Sequence, residues 1–465
     1  MTLPTNFTLL PSQDKAKSRL TSQRRHFLFF RMGLGKTPTT CVALHTIQPT
    51  KVLIICPKNA TRVWEDHIAE WFVGFDTKLG RTTPYIVRRW RKKQQDAQKR
   101  KAIWKEFTLG VTNFYVMTYA GFLKDTDVLK PDFDVIILDE AKRIRSHKSE
   151  VFKALKPYTK AAKYFWPMTG TPGISPKDFW TLFHLADPSY FSSYWKFVGA
   201  FHYIIMNEWG RKEILPGIRN KDEWDRLLST KASILTKPMV QAEYKTFPKQ
   251  RDFIPVELDA IQDGIYKQLD EHMYAITNDA AIIAQNSMVR MLRFRQLFVC
   301  PKILDPKLET NGAAFDDFLE KLEDTDPHVV CFTPFTEAFP HFIAGLKSAG
   351  HTNVYTLSGA CSSDEVADRI AAFRKSRGII LCSTTFAESF SLEPAAEAFH
   401  IGYDYNPEVN DQAEDRLERL TTTYPVNHYY YRYMGTYDET AAELVVIKRE
   451  KISTTIDISK VGLKF

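Results

Sequence analysis

No apolar run in this 465-residue chain approaches the ~20 residues of a membrane-spanning helix; Val52–Cys56 and Val135–Leu138 are only strand-sized. The first residues carry neither a basic head nor an apolar core, so no secretory leader is expected. The six cysteines, at 41, 56, 300, 331, 361 and 382, include no CxxC pair. Cys56, Cys331 and Cys382 fall inside apolar runs, a pattern of buried thiols rather than of a metal site or disulfide scaffold. The expected location is a reducing one, the cytoplasm. Internal repeats and low-complexity tracts are also missing, and the composition excludes a disordered chain, a collagen-like rod and a small disulfide scaffold. What is present is ordinary globular composition, 44% hydrophobic and 25% charged, at a length suited to two or three domains. Lys and Arg exceed Asp and Glu by 63 to 55. That mild excess permits a polyanionic partner without requiring one.

Short apolar runs alternate with helical patterns, which predicts parallel sheets wrapped by helices. Strands are expected at Lys51–Cys56, Asn113–Tyr119, Phe133–Asp139 and Tyr164–Met168, and again at His328–Phe335, Asn353–Leu357, Gly378–Ser383, Phe399–Tyr405 and His428–Met434. Helices are expected over Ala60–Phe72, Thr336–Ser348, Ser363–Arg374 and Val409–Leu420. Residues 175–235, rich in aromatics, read as mainly helical, and 261–299 as two helices with no strand between. The segment Thr236–Arg251 marks the boundary. The predicted fold is therefore α/β with two lobes: 1–240 with a helical insertion at about 175–235, and 241–465 with one at about 261–300.

The strongest local signal is Met32-Gly33-Leu34-Gly35-Lys36-Thr37, which follows the apolar run Phe27–Phe30 and opens a helix. Gly33 and Gly35 let backbone N–H groups approach a triphosphate at a helix N-terminus. Lys36 would reach the β and γ phosphates and the Thr37 hydroxyl would ligate Mg²⁺. The first glycine of the full P-loop pattern is replaced by Phe30, so a plain strand–helix turn is the competing reading. Roughly one hundred residues on, the run Asp134–Leu138 ends in Asp139-Glu140. Two carboxylates at the C-terminal edge of a buried strand suit a metal-holding acid, Asp139, and a water-activating base, Glu140. A solvated loop start is the bland alternative. In the second half, Gln412–Arg419 places Arg416 and Arg419 three residues apart on one helix face. They could act as arginine fingers on a phosphate, or simply pair with Glu414 and Asp415.

In this order the segments resemble the motif series of superfamily-two helicases, specifically the Swi/Snf-like branch of DNA translocases. Gln13 resembles that family's adenine-reading glutamine, Met32–Thr37 its MGLGKT string, and Asp139-Glu140-Ala141-Lys142 its DEAH-type box. Thr169-Gly170-Thr171-Pro172 is similar to its TGTP motif, whose threonines couple hydrolysis to strand movement. Asn406-Pro407 and Gln412–Arg419 resemble its terminal stretch, with Gln412 at the nucleotide. Three departures stand out: Arg31 where an acid is common, Phe386–Ser391 in place of a glycine-rich stretch, and Leu420-Thr421 in place of Gly-Gln. The resemblance implies two RecA-like lobes, ATP and Mg²⁺ in the cleft between them, and DNA across both. It carries strand contacts to Lys58, Asn59, Thr118, Tyr119, Thr333, Ser383 and Thr384.

Arg81–Lys105 holds ten Lys or Arg against Asp96 alone, with Tyr85, Trp90 and Trp104 interleaved. It reads either as a basic helix tracking a phosphate backbone or as a solvated helix anchored by its tryptophans. The function implied is an ATP-dependent DNA helicase or translocase that remodels forked or branched DNA in replication, recombination or repair. A motor that strips proteins from DNA, an RNA helicase, a P-loop kinase and a non-hydrolysing nucleic-acid scaffold are the alternatives. The compact chain suggests a bacteriophage or bacterial enzyme, a monomer in the cytoplasm of a bacterium or infected host cell, with replication or recombination proteins as possible partners.

Overall fold

The computed structural model describes residues 8–76, 81–84, 87–89, 114–170, 173, 175–241, 243, 247, 250–277, 280–323, 325, 328–386, 390–418, 422 and 424–445. The chain divides into two compact units, Met1–Lys245 with Lys451–Phe465, and Thr246–Glu450.

The first unit opens with the helix Pro11–Gln23, followed by β1 (Phe27–Phe30), the helix Lys36–Ile47 and β2 (Val52–Cys56). After the helix Ala60–Trp71 come β3 (Val73–Asp76), β4 (Arg81–Pro84), β5 (Val87–Arg89) and β6 (Phe114–Thr118). The helix Tyr119–Asp125 leads to β7 (Val135–Asp139), the helix Glu150–Ala161 and β8 (Tyr164–Met168). Seven strands form one sheet in the order β11-β1-β8-β7-β2-β6-β5, every pairing parallel. Its central strands are buried along their whole length, as expected of a sheet covered on both faces by helices.

Two expectations for this unit need correction. The aromatic insertion contains helices Trp180–Ala186, Tyr194–Phe201 and Lys221–Lys231, but also a hairpin of β9 (Ile204–Met206) and β10 (Lys212–Ile214) and then β11 (Ala232–Leu235). β11 follows its helix without a loop and completes the edge of the main sheet beside β1, register Phe27 to Ala232 through Phe30 to Leu235. Tertiary pairing with β1, not local pattern, makes these four residues a strand. The basic stretch was expected as a helix, yet Arg81–Pro84 pairs with β3 and Val87–Arg89 with β6. Thr82, Thr83 and Val87 are β-branched and Pro84 breaks a helix, which outweighs the run of basic residues. Residues 90–105 lie outside the described residues.

The second unit carries β12 (Gln250–Val256), β13 (Tyr274–Ile276), β14 (Ala281–Ile283), β15 (His328–Thr333), β16 (Val354–Leu357), β17 (Gly378–Ser383), β18 (Glu397–His400) and β19 (Asn427–Tyr433). Six of them form a parallel sheet ordered β12-β19-β18-β15-β17-β16. Alternate residues feed two cores: Val329 and Cys331 of β15 with Ile379 and Leu381 of β17 on one face, Val330 and Phe332 with Ile380 and Cys382 on the other. The expected pair of helices is present as Ala260–His272 and Ser287–Val299, but the antiparallel hairpin β13–β14 separates them. Each unit is thus an α/β lobe with a parallel sheet. All six cysteines are buried thiols outside any disulfide. Among the described residues no helix is long and apolar enough to cross a membrane.

Candidate active site

The sheet order of the first unit places β8 between β1 and β7, so three motifs far apart in sequence leave from neighbouring strand ends. Met168 is the shared neighbour, in register with Leu28 of β1 and Asp139 of β7. The C-terminal ends of parallel strands are where open α/β sheets bind ligands.

After β1 the chain turns through Arg31–Gly35 and enters the helix Lys36–Ile47. Gly33 and Gly35 have φ of 77° and 78°, a left-handed backbone that glycine adopts without penalty. At Gly35 a second constraint applies, because an added Cβ would lie 2.5 Å from Gln13 Nε2. Gln13 is buried; its Nε2 donates to the Leu34 carbonyl at 3.1 Å and its Oε1 accepts from Leu10 N–H at 3.0 Å. One N–H and one lone pair of that amide remain for other partners. The Lys36 ammonium donates to the Phe30 carbonyl at 3.1 Å, and Thr37 is half-buried in the first helical turn.

β7 delivers the acids. Asp139 is buried, its Oδ2 accepting from Trp64 Nε1 and its Oδ1 from Glu140 N–H, both at 3.0 Å. Burial first, and the Glu140 charge second, push the Asp139 carboxyl up to about 6, against the opposing pull of Lys36 and these two donors. Glu140 is buried and left-handed, with φ 51° and ψ 51°. A non-glycine residue held there stores of order 1 kcal/mol of strain, as functional turns often do. Thr169, fully buried beyond β8, donates to Glu140 Oε2 at 3.1 Å, and its own N–H donates to the Leu28 carbonyl at 3.0 Å. Tyr119 Oη donates to the Asp139 carbonyl at 2.7 Å. Burial, with Asp139, Cys56 and Glu140 nearby, raises the Tyr119 hydroxyl well above its ordinary range.

Trp64, on the helix expected over Ala60–Phe72, is not among the site residues that the sequence motifs single out. A buried indole N–H usually finds an acceptor, but Trp166, Trp180 and Trp224 bury theirs with no hydrogen-bond partner among the described residues, so no sequence signal set Trp64 apart.

The strand-contact candidates fall in two places. Lys58 is exposed and Asn59 half-buried at the start of the helix Ala60–Trp71. Thr118 caps its helix by accepting from Gly121 N–H at 3.0 Å, while the Tyr119 hydroxyl is turned onto the acid strand. In the second unit Thr333 and Ser383 are register partners at the ends of β15 and β17, and both are buried with Thr384. Asn59 Oδ1 and Thr384 Oγ1 are buried with no hydrogen-bond partner among the described residues.

Gln412 lies buried on the helix Pro407–Glu414, which ends before the expected Leu420. Arg416, also buried, donates from Nε to the Gln412 carbonyl at 3.1 Å and from Nη1 to the Phe390 carbonyl at 3.4 Å. The Glu414 carboxylate is gripped by Arg251, Nε to Oε1 at 2.7 Å and Nη2 to Oε2 at 2.6 Å, and by Tyr430 Oη at 2.7 Å. Thr171, Arg419 and residues 387–389 lie outside the described residues.

Residues 18–304, more than half of the chain, match the family described as SNF2-related domain. The CHD3-type chromatin-remodeling factor CHR7 of Arabidopsis thaliana is 24% identical over 450 residues, covering 89% of this chain and 34% of that protein. The SWI/SNF-related matrix-associated actin-dependent regulator of chromatin subfamily A-like protein 1 of Xenopus tropicalis is 23% identical over 437 residues, covering 93% of this chain and 43% of that protein. The chain therefore spans less than half the length of these relatives. Among solved structures, the Sulfolobus solfataricus SWI2/SNF2 ATPase core in complex with dsDNA aligns over 99% of this chain and 96% of that one, at 21% identity and TM-score 0.45.

Proposed function

Because this chain belongs to the SNF2-related domain family, we propose that it is a nucleic-acid-dependent ATPase that moves on DNA and remodels forked or branched DNA. The observation that carries the reading is the convergence of the Gly33–Lys36 turn, Asp139-Glu140 and Thr169 on three adjacent strand ends.

Each group has a definite task in that reaction. The left-handed turn at Gly33 and Gly35 and the following helix N-terminus receive the phosphates, and Lys36 neutralises their charge. Thr37 and Asp139 form an oxygen donor set suited to Mg²⁺, a hard cation that takes few protein ligands and fills its sphere with phosphate and water. When bound, Mg²⁺ supplies charge stabilisation to the transferring phosphate. Glu140 accepts the proton of the attacking water, and Thr169 orients its carboxylate through the 3.1 Å hydrogen bond. Trp64 and Tyr119 fix Asp139 from the helix after β2 and the end of β6. Gln13 holds the phosphate turn and keeps spare hydrogen-bonding capacity for a base. Gln412, Arg416, Arg419 and Thr171 enter by motif order, as do the strand contacts Lys58, Asn59, Thr118, Tyr119, Thr333, Ser383 and Thr384.

The test is steady-state ATP hydrolysis with no nucleic acid, single-stranded DNA, plain duplex, branched DNA and RNA, with Lys36→Ala as control. Stimulation by DNA, greatest with branched DNA and lost in the Lys36 variant, is the expected result. Stimulation by none of them, or activity that survives Lys36→Ala, overturns the reading.

A further inference from the structure

The insertion between β8 and β11 carries a feature for which the hydrolysis site has no use. β9 and β10 pair antiparallel, Met206 opposite Lys212, Ile205 opposite Glu213 and Ile204 opposite Ile214. Their turn is fixed by four hydrogen bonds. Asn207 N–H donates to the Arg211 carbonyl and Gly210 N–H to the Asn207 carbonyl, both at 2.9 Å. Asn207 Oδ1 accepts from Trp209 N–H at 3.0 Å and from Arg211 N–H at 2.9 Å. Gly210 closes the turn at φ +69°, and a Cβ there would meet nothing within 4 Å, so the glycine serves backbone conformation alone. On this rigid turn stands Trp209, 84% exposed.

An indole so displayed is out of place on a free surface, and its neighbours indicate what it meets. Lys212 Nζ lies 4.8 Å over the ring of Trp195, and Arg211, Lys196 and Arg219 are exposed on the same insertion, against the acids Glu208 and Glu213. Tyr203 and Met206 extend the exposed surface. Aromatic faces interleaved with cations suit a flat base flanked by phosphates. The hairpin is also anchored. Tyr194, on the helix before it, stacks on His147 at 4.1 Å, seven residues after Glu140. Trp224 closes the base of the insertion against Phe179 and Phe201 at 5.0 and 5.5 Å.

We propose that the Trp209 hairpin is a stacking contact for an unpaired nucleobase where DNA strands diverge, with Arg211 and Lys212 on the adjoining phosphates. This rests on the DNA-translocase reading above and gives it a strand-sensing element. The experiment compares two DNAs of equal length, one fully paired and one with a splayed unpaired arm, in equilibrium binding and in stimulated ATP hydrolysis. Wild type, Trp209→Ala, Trp209→Phe and Lys212→Ala are measured. Trp209→Ala is expected to weaken binding of the splayed DNA about 5- to 150-fold, the range of one base–aromatic stack, while leaving the paired duplex and its stimulation of hydrolysis unchanged. Trp209→Phe should recover most of the loss, and Lys212→Ala should flatten the salt dependence on the splayed arm. The thermal midpoint should not move, since the indole is almost fully solvated. Equal losses on both DNAs, or none on either, overturn the proposal. So does a protein partner retained by wild type and lost by Trp209→Ala with DNA binding intact. A wild type that neither binds DNA nor responds to it would overturn the functional reading as well, which separates the two failures.

Discussion

Thr169 Oγ1 donates a 3.1 Å hydrogen bond to Glu140 Oε2 from the end of the neighbouring strand, tying the TGTP segment directly to the proposed water-activating base. Thr169→Val keeps the shape and removes the donor, leaving a buried carboxylate one partner short, a loss of about 1–3 kcal/mol. Expressed in the transition state, that predicts a fall in kcat of about 5- to 150-fold with little change in KM for ATP. Thr169→Ser should keep most of the activity. An equal loss in the serine variant would assign the effect to the methyl group and its packing.

Gln13 makes a second prediction because its amide already bridges Leu10 and Leu34. Gln13→Ala should lower stability by about 1–2 kcal/mol, through two backbone groups left without partners, and raise KM for ATP as the Gly33–Gly35 turn loosens. If Gln13 served base recognition alone, the variant would instead lose its preference for ATP over GTP with its melting temperature intact. Thermal melts and paired ATP and GTP kinetics separate the two outcomes.

Much of this site was legible because its chemistry is written in contiguous strings. Met32–Thr37 and Asp134–Glu140 each hold their strand, turn and functional groups within a few residues, so local reading suffices. The contacts that complete the site are not local: Trp64 reaches Asp139 across 75 residues and Gln13 reaches Leu34 across 21. No periodicity encodes such pairs. The same distinction runs through the fold. The apolar strands Val52–Cys56 and Gly378–Ser383 read directly, whereas Ala232–Leu235 becomes a strand only by lying against β1. Three-residue strands such as Ile204–Met206 and Tyr274–Ile276 are too short to show alternation within an aromatic or helical context.

Asp139 links the site to pH. Its carboxyl is held at about 6, chiefly by burial, against an ordinary 3.8. Between those values the folded protein binds more protons than the unfolded chain, so stability falls as pH rises through the window. Relative to Asp139→Asn, the wild type without nucleotide or divalent cation should lose of order 2–3 kcal/mol between pH 4 and 7. Parallel stability profiles for the two proteins would exclude this. If Asp139 holds the cation as proposed, the variant should also lose most of its activity, because a neutral amide oxygen binds a hard cation more weakly than a carboxylate.

His26 predicts the opposite slope. It is buried at the mouth of β1, 2.9 Å from Ser233 Oγ, and its imidazole is lowered to about 3 by burial, with Arg19 and Lys231 adding to the effect. Below pH 6.5 the unfolded chain takes up a proton that the folded state refuses, so stability is lost as pH falls. Compared with His26→Gln, the wild type should lose about 2 kcal/mol more between pH 7.5 and pH 5. Denaturant midpoints measured across that range give the difference directly.

Arg251 tests whether the terminal motif is positioned from within its own lobe. Its bidentate grip on Glu414, reinforced by Tyr430, fixes the last turn of the helix that carries Gln412 and leads into Arg416. Glu414 is fully buried, so Arg251→Met strands a charge and should cost about 3–5 kcal/mol. Arg251→Lys keeps the charge but lacks the planar fork, and should recover only part of that loss. The informative variant is the double change Arg251→Met with Glu414→Gln, which removes both charges. It should regain much of the stability, because a neutral pair no longer needs an ionic partner. If the network also sets the course of the backbone into Arg416, ATP hydrolysis in the double variant should stay about tenfold or more below wild type at temperatures where it is fully folded. Recovery of stability and activity together would reduce Arg251 to a structural ion pair, whereas recovery of stability alone would assign it to positioning the motif.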